Sequence, residues 1–320
     1  MVAGVRVKTA TSAVSSLTVV MRIAYFGPQG TFTEQAARAL APGEDLTPYE
    51  TVRLAMQAVR DGGADAACVP IENSVEGVVP TTLDALSDGD PLVAVAEAIL
   101  PIHFSVLTRP GGGEVRTVAS HPHALAQVRA WLEANLPEAT PVAASSTAAA
   151  AVGVVEGDFD AAVSAPVAIE HYPLEELATG VADVRDAQTR FLMVRRPGHL
   201  PEPTGADRTS IVAAADNRTG TLSELLVELA GRGINLTRID ARPTRSNFGE
   251  YRFFIDFEGH LAEPRIVDAL KALRRRCHLR FLGSHPRADE IAATIGPGNA
   301  NQDFLAAQAW VDAVLKGEGA

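Results

Sequence analysis

The chain has 320 residues, 47% of them apolar and 21% charged, a composition that folds and suits about two domains. With 28 basic and 39 acidic residues its formal charge is −11, which argues against nucleic-acid binding but leaves a small anionic substrate open. The two cysteines, Cys68 and Cys277, stand far apart with no Cys-x-x-Cys, so neither a disulfide framework nor a cysteine zinc site is expected, and the compartment reads as reducing and cytoplasmic.

Residues 1–21 read as a disordered extension. Thr9, Thr11, Ser12, Ser15, Ser16 and Thr18 interrupt the continuous apolar stretch of about 7–15 residues that export requires. No run approaches the roughly 18 apolar residues of a membrane span. Residues 22–27 then predict a strand, followed by a helix to about Leu40 with Thr31 or Thr33 as cap. Residues 51–61 predict a second helix, with Val52, Ala55, Met56 and Val59 on one stripe. Residues 64–70 read as a buried strand, and Ser74 opens a loop or helix. Strands are predicted over 92–99, 104–108 and 115–119, with Gly111-Gly112-Gly113 as a turn. One helix is predicted over 122–135, with Pro122 in its first turn. Residues 142–144 lead into a helix over 147–156, and strands follow over 161–164 and 190–194. Strands alternating with helices imply an α/β domain with a largely parallel sheet.

An internal echo divides this domain. Residues 61–70 and 156–166 each carry a helix ending at glycine, an Asp-Ala-Ala strand and a closing proline. The pattern predicts two similar lobes facing each other across a cleft: residues 22–98 with 184–198, and residues 99–183.

A Pro- and Gly-rich stretch without periodicity, 195–206, separates this domain from the C-terminal third of the chain, with the linker placed at 199–207. Over 208–287 the order reads βαββαβ, a ferredoxin-like plan. Its strands fall at 209–215, 234–242, 251–258 and 279–282, with a turn at 245–249. The helix faces are Leu222, Leu225, Leu226 and Leu229, then Ile266, Val267, Leu270 and Leu273. Residues 288–320 form a tail with a short, partly amphipathic helix over 304–315, able to dock on the body or on a partner subunit.

Several polar clusters follow a strand and precede a helix: residues 29–33, Glu72-Asn73-Ser74, Ser120-His121-Pro122-His123 and Ser145-Ser146-Thr147. Ligands bind beyond the carboxyl ends of parallel strands, and helix N-termini favour anions. Converging clusters would hold a small polyanion without a metal, although each alone reads equally as ordinary capping. Thr189-Arg190-Phe191 is the second signal. An arginine entering an apolar strand is costly unless it is paired or meets a charged ligand. It could grip a carboxylate while Thr189 donates to a departing oxygen, or simply pair with Asp183 or Asp186. His121 and His123 lack a third ligand, so no metal is expected. Arg274-Arg275-Arg276 closes a helix where cations are favourable.

The motifs GPQGTFTEQAA (27–37), VPIENSVEGVVPTTLD (69–84), SHPHALAQ (120–127), SSTAAAA (145–151) and QTRFLMV (188–194), in this order, resemble those of prephenate dehydratases. Residues 220–243 and 248–260 resemble an ACT regulatory domain. The resemblance implies two α/β lobes of the periplasmic-binding type (type II) followed by the ACT domain. It also implies conversion of prephenate to phenylpyruvate, with water and carbon dioxide lost and no cofactor. Thr189 would then be the key polar group and Arg190 would hold a carboxylate, with Thr31, Asn73, Ser74, Ser120, Thr147 and Phe191 around the substrate. L-phenylalanine would bind at a subunit interface, through Gly220-Thr221-Leu222 and through Asp240-Ala241-Arg242-Pro243, which departs from the family pattern at two of four positions. A homodimer or homotetramer would result. Twenty-one leading residues are too few for the mutase domain of bifunctional relatives. Arogenate as substrate, or a non-catalytic two-lobed sensor, are the competing readings.

Overall fold

A computed structural model describes residues 6–7, 20–216, 218–243 and 251–318. The chain divides into two compact units, Met1–Ala85 with Glu97–Arg196, and Leu86–Ala96 with Pro197–Ala320.

Unit 1 has two lobes. A two-residue strand, β1 (Arg6–Val7), lies antiparallel to Ile99 and Ala98, so these two residues of the expected disordered extension are paired. In the first lobe β2 (Arg22–Phe26) runs parallel to both β3 (Asp45–Tyr49) and β4 (Ala66–Asn73). Helices α1 (Phe32–Leu40) and α2 (Val52–Arg60) connect them, each capped by a threonine, Thr31 and Thr51. The helix α2 buries Val52, Ala55, Met56 and Val59, the predicted stripe. Next come β5 (Gly77–Val78), α3 (Pro80–Ser87) and β6 (Val93–Pro101).

The second lobe is built from β7 (Ser105–Thr108), β8 (Thr117–Ser120), α4 (Pro122–Gln127), α5 (Arg129–Asn135), β9 (Thr140–Ala143), α6 (Thr147–Glu156) and β10 (Ala161–Ser164). A 3₁₀ turn, Pro166–Glu170, and β11 (Glu175–Thr179) complete it. The chain then returns to the first lobe as β12 (Gln188–Arg195). The strand orders are β6-β12-β4-β2-β3 and β11-β7-β10-β8-β9. Both sheets are mixed, not largely parallel, because β12 runs antiparallel to β4, and β7 antiparallel to β10 and β11. The sequence echo has a structural counterpart. β4 lies between parallel β2 and antiparallel β12, and β10 lies between parallel β8 and antiparallel β7.

The single helix predicted over 122–135 is broken at the buried Val128, whose φ of −124° and ψ of 12° leave the helical region. The Asp183 carboxylate accepts from the Ala130 and Trp131 amides and supplies the second segment with the cap its own sequence lacks.

Unit 2 contains β13 (Asp207–Ala215), α7 (Thr221–Ala230), β14 (Leu236–Pro243), β15 (Tyr251–Glu258), α8 (Pro264–Arg276) and β16 (His278–Pro286), in the sheet order β14-β15-β13-β16. Its helices cover one sheet face, with Leu225, Leu229, Ile255, Phe257, Ile266 and Leu273 in one buried cluster. The predicted turn at 245–249 lies outside the described residues. The tail carries α9 (Asn301–Leu315). Gly283 faces Ala94 across a parallel pairing, with φ at +135°, and a Cβ there would sit 2.2 Å from the Ala94 carbonyl oxygen. Gly283→Ala is therefore expected to cost about 1–3 kcal/mol, read as a lower urea midpoint; an unchanged midpoint would show that the strands part freely.

Candidate active site

The sheets of unit 1 dictate where side chains converge. Parallel β2, β3 and β4 bring their carboxyl ends to one edge, and antiparallel β12 brings its first residues to that edge, so Thr189 lies opposite Asn73. A register shift between Arg190 and Phe191 re-aims these side chains just past that pair. In the second lobe parallel β8, β9 and β10 end at Ser120, Ala143 and Ser164, again on one edge.

Contacts from lobe to lobe show that these edges face each other. Gln127 Nε2 reaches Glu76 Oε1 at 3.4 Å, and His123 lies 3.9 Å from the same carboxylate. Tyr172 donates to the Gln29 carbonyl at 3.0 Å, and Arg38 donates to Glu170 at 2.9 Å. His171 lies 3.0 Å from the buried Glu34. Gly30, at φ +85°, permits this approach, since a Cβ there would come within 2.9 Å of the Ala168 backbone.

Thr189 is 7% exposed, and its Oγ1 accepts a hydrogen bond from Asn73 Nδ2 at 2.8 Å. Asn73 Oδ1 in turn accepts from the Val75 and Glu76 amides at 2.8 and 3.0 Å. Those two bonds fix which way the amide points, so its NH₂ must face Thr189. With an acceptor site of its oxygen filled, the Thr189 hydroxyl is left to donate. The buried threonine stands at the edge that faces the second lobe.

Arg190 is turned away from an open grip on a ligand. Its Nη1 donates to Glu97 and its Nη2 to Glu72, each at 3.2 Å. Glu97 is fully buried. A guanidinium this deeply buried needs opposite charge beside it, and Glu72 and Glu97 supply it. Of the two sequence-based partners, Asp183 caps α5 instead.

Thr31 and Glu34 form a reciprocal cap in which Glu34 N donates to Thr31 Oγ1 and Gly30 N donates to Glu34 Oε2. Ser74 exchanges bonds with the Gln188 backbone, and Ser120 donates to the Val163 carbonyl at 2.6 Å. The cap of α6 is Ser146, with Thr147 as the first helical residue. Phe191 is a buried core side chain, 2% exposed, because the strand continues into the sheet interior from this point. Sequence reasoning missed Glu76, Glu97 and Gln127. Among the described residues Gln127 Oε1 and Ser164 Oγ are buried without a hydrogen-bond partner, at the edge where the lobes meet; Gln127 closes the motif at 120–127 and Ser164 lies in the repeated stretch at 156–166, which was the available signal. His121 sits below its usual pKa because of burial and the neighbouring His123. Among the described residues no group of three His, Cys, Asp or Glu side chains is placed to hold a metal.

The model of the prephenate dehydratase family matches residues 23–199, more than half of the chain. The chain belongs to the prephenate dehydratase family. The ACT domain model matches residues 209–275. A prephenate dehydratase of Amycolatopsis methanolica is 72% identical over 302 residues, covering 93% of this chain and 99% of that protein. Among solved structures, a prephenate dehydratase from Arthrobacter aurescens in complex with L-Phe has a TM-score of 0.87 at 45% identity, covering 92% of this chain and 99% of that one. The solved structure of GqqA, described as a novel type of quorum-quenching acylase, matches at 33% identity and TM-score 0.75, over 83% of this chain and 97% of that one. The dehydratase and ACT matches fall on the two-lobed α/β domain and the βαββαβ domain, the fold class expected.

In the ACT domain Gly220 is the left-handed cap of α7, at φ +87°, and Thr221 donates to the Asp216 carbonyl at 2.9 Å. Leu222 is half-buried, and Asp240, Ala241, Arg242 and Pro243 end β14, the edge strand, with Asp240 bonded to Arg238 at 2.8 Å. No helix of the described residues is long and apolar enough to cross a membrane.

Proposed function

We propose that the chain converts prephenate to phenylpyruvate in the crevice between its two lobes, with Thr189 as the donor to the departing hydroxyl. The Asn73–Thr189 hydrogen bond carries this reading. Prephenate has two carboxylates and a ring hydroxyl. When the C–C bond to the ring carboxylate breaks, its electron pair enters the ring, and the C–O bond breaks with its pair leaving on oxygen. One proton delivered to that oxygen completes water, carbon dioxide is released, and the ring is aromatic. The driving force lies in the substrate, so the protein must only orient the dianion and meet the negative charge growing on the leaving oxygen.

Thr189 meets that charge with its hydroxyl, and the Asn73 donor stabilises the charge left on Oγ1 as the proton moves. Arg190 acts one step back, holding Glu72 and Glu97 and with them the strand that presents Thr189. The substrate carboxylates are assigned to the helix N-termini at Thr31 and Ser146–Thr147 and to the polar groups Ser74, Ser164 and Gln127, while the Ser120 hydroxyl, spent on the Val163 carbonyl, holds the strand ends in place. The enzyme works in the cytoplasm with both cysteines reduced, and no cofactor is called on.

The deciding experiment gives purified protein prephenate and reads phenylpyruvate by its ultraviolet absorbance in base. Phenylalanine formed from arogenate, but no phenylpyruvate from prephenate, would select the alternative substrate. Binding without product would select a sensor.

L-phenylalanine is proposed as the effector, bound where Gly220–Leu222 of one copy meets residues 240–243 of another, in a homodimer or homotetramer. Gly220→Val forces a branched side chain into a left-handed position. It is expected to raise the inhibitory phenylalanine concentration at least about 5-fold while uninhibited turnover stays near parent. Unaltered inhibition would place the effector elsewhere.

A further inference from the structure

Glu34 is a carboxylate buried at the seam between the two lobes of unit 1. Capping α1 needs only the Thr31 hydroxyl, yet Glu34, in the first turn, is 3% exposed. A buried charge needs opposite charge or donors around it, and Glu34 takes them from both lobes. Gly30 N donates to its Oε2, and Arg38, one turn further along α1, lies 2.5 Å from its Oε1. His171, from the second lobe, brings Nε2 to 3.0 Å from that same Oε1 and to 3.0 Å from Arg38 Nη2. Burial, and after it the Glu34 charge, pushes the Tyr25 and Tyr172 hydroxyls up, so both stand near the carboxylate as neutral groups.

The burial of Glu34 belongs to one arrangement of the lobes. His171 and Tyr172 follow the 3₁₀ turn after β10, and Tyr172 also donates to the Gln29 carbonyl. Two passages of chain join the lobes, from β6 to β7 and from β11 to β12, a connection that permits hinging. Parting the lobes returns Glu34 to water, and bringing them together strips that water away. Arg38 and His171 replace it. The contact therefore favours the closed crevice over the open one far more than it favours the folded chain over the unfolded.

We infer that Glu34, Arg38 and His171 form a clasp that holds the crevice closed around prephenate, which makes His171 a positioning residue for the reaction. Thr189 and Asn73 both stand on the first lobe, so the clasp leaves the chemical step alone. It sets the fraction of molecules whose crevice is ready for substrate, and apparent affinity scales with that fraction. The inference rests on prephenate being bound between the lobes.

His171→Leu keeps much of the bulk of the ring and removes its nitrogens. KM for prephenate should rise about 10-fold with kcat within about 2-fold of the parent, while the urea midpoint holds. His171→Gln supplies an amide that both donates and accepts, so it serves carboxylate and guanidinium alike, and should bring KM back to within about 3-fold of the parent. Arg38→Met, at a side chain 42% exposed, loosens the clasp from the first lobe and should also raise KM. The double variant should show less than the product of the two single effects, as residues of one network do. A parent-like KM in His171→Leu, a fall in kcat or stability in place of the KM rise, no recovery with glutamine, or a double variant equal to the product would each overturn the clasp. Thr189→Val, measured alongside, should show the opposite split, with kcat lost and KM kept; turnover retained there would take the reaction away from Thr189 whatever His171→Leu does, so the two failures are told apart.

Discussion

Thr189→Val is expected to lower kcat by about 10²–10⁴-fold with KM close to the parent value. The shape of the side chain is kept, so substrate still fits, but the hydroxyl that meets the leaving oxygen is gone. Asn73 Nδ2 then faces a methyl group. A half-buried donor without a partner costs about 1–3 kcal/mol, and a modest loss of stability should accompany the loss of turnover. Thr189→Ser restores the hydroxyl and should recover most of the rate. The decisive comparison is kcat across the three proteins. Parent-like turnover in the valine variant would remove Thr189 from the reaction.

Arg190→Met should be the most destabilising of the substitutions considered. It strands Glu97, which has no exposure to water, together with Glu72, and breaking a buried pair costs about 3–5 kcal/mol. Urea unfolding should show a lower midpoint at an unchanged slope. Arg190→Lys keeps the charge but not the planar fork that reaches two carboxylates at once, so it should fall between parent and methionine. If Arg190→Met folds as stably as the parent and loses only turnover, the guanidinium serves substrate and not the fold.

Much of this architecture was legible in the sequence because it rests on strong local signals. The apolar stripe Val52, Ala55, Met56 and Val59 is the buried face of α2, and the Asp-Ala-Ala echo marks the central strands β4 and β10. Strands β3 and β11 escaped because both are edge strands with mostly exposed side chains, and β3 contains Pro48. No apolar alternation marks such a strand; only its neighbour does. The break at Val128 escaped for a related reason, since the group that caps α5 is Asp183, more than fifty residues later.

The site followed the same division. Asn73, Ser74 and Thr189 were visible as polar residues at strand ends, and the structure brings Asn73 against Thr189. Glu97 was hidden in the apolar run of β6, where nothing local distinguishes a buried counter-ion from an interruption. Thr31 and Ser120 show the opposite case. Their hydroxyls are engaged with the fold itself, the reading that capping chemistry always competes for.

The polarity of the reaction centre is written in a turn and not in the strand that carries Thr189. Two main-chain amides seize one end of the Asn73 amide and leave only its hydrogens for the threonine. Exchanging that NH₂ for oxygen, as Asn73→Asp does, would keep every atom position and reverse the sense of the bond. The threonine proton would swing inward to the carboxylate, and the crevice would meet its substrate with a lone pair where it now presents a hydrogen.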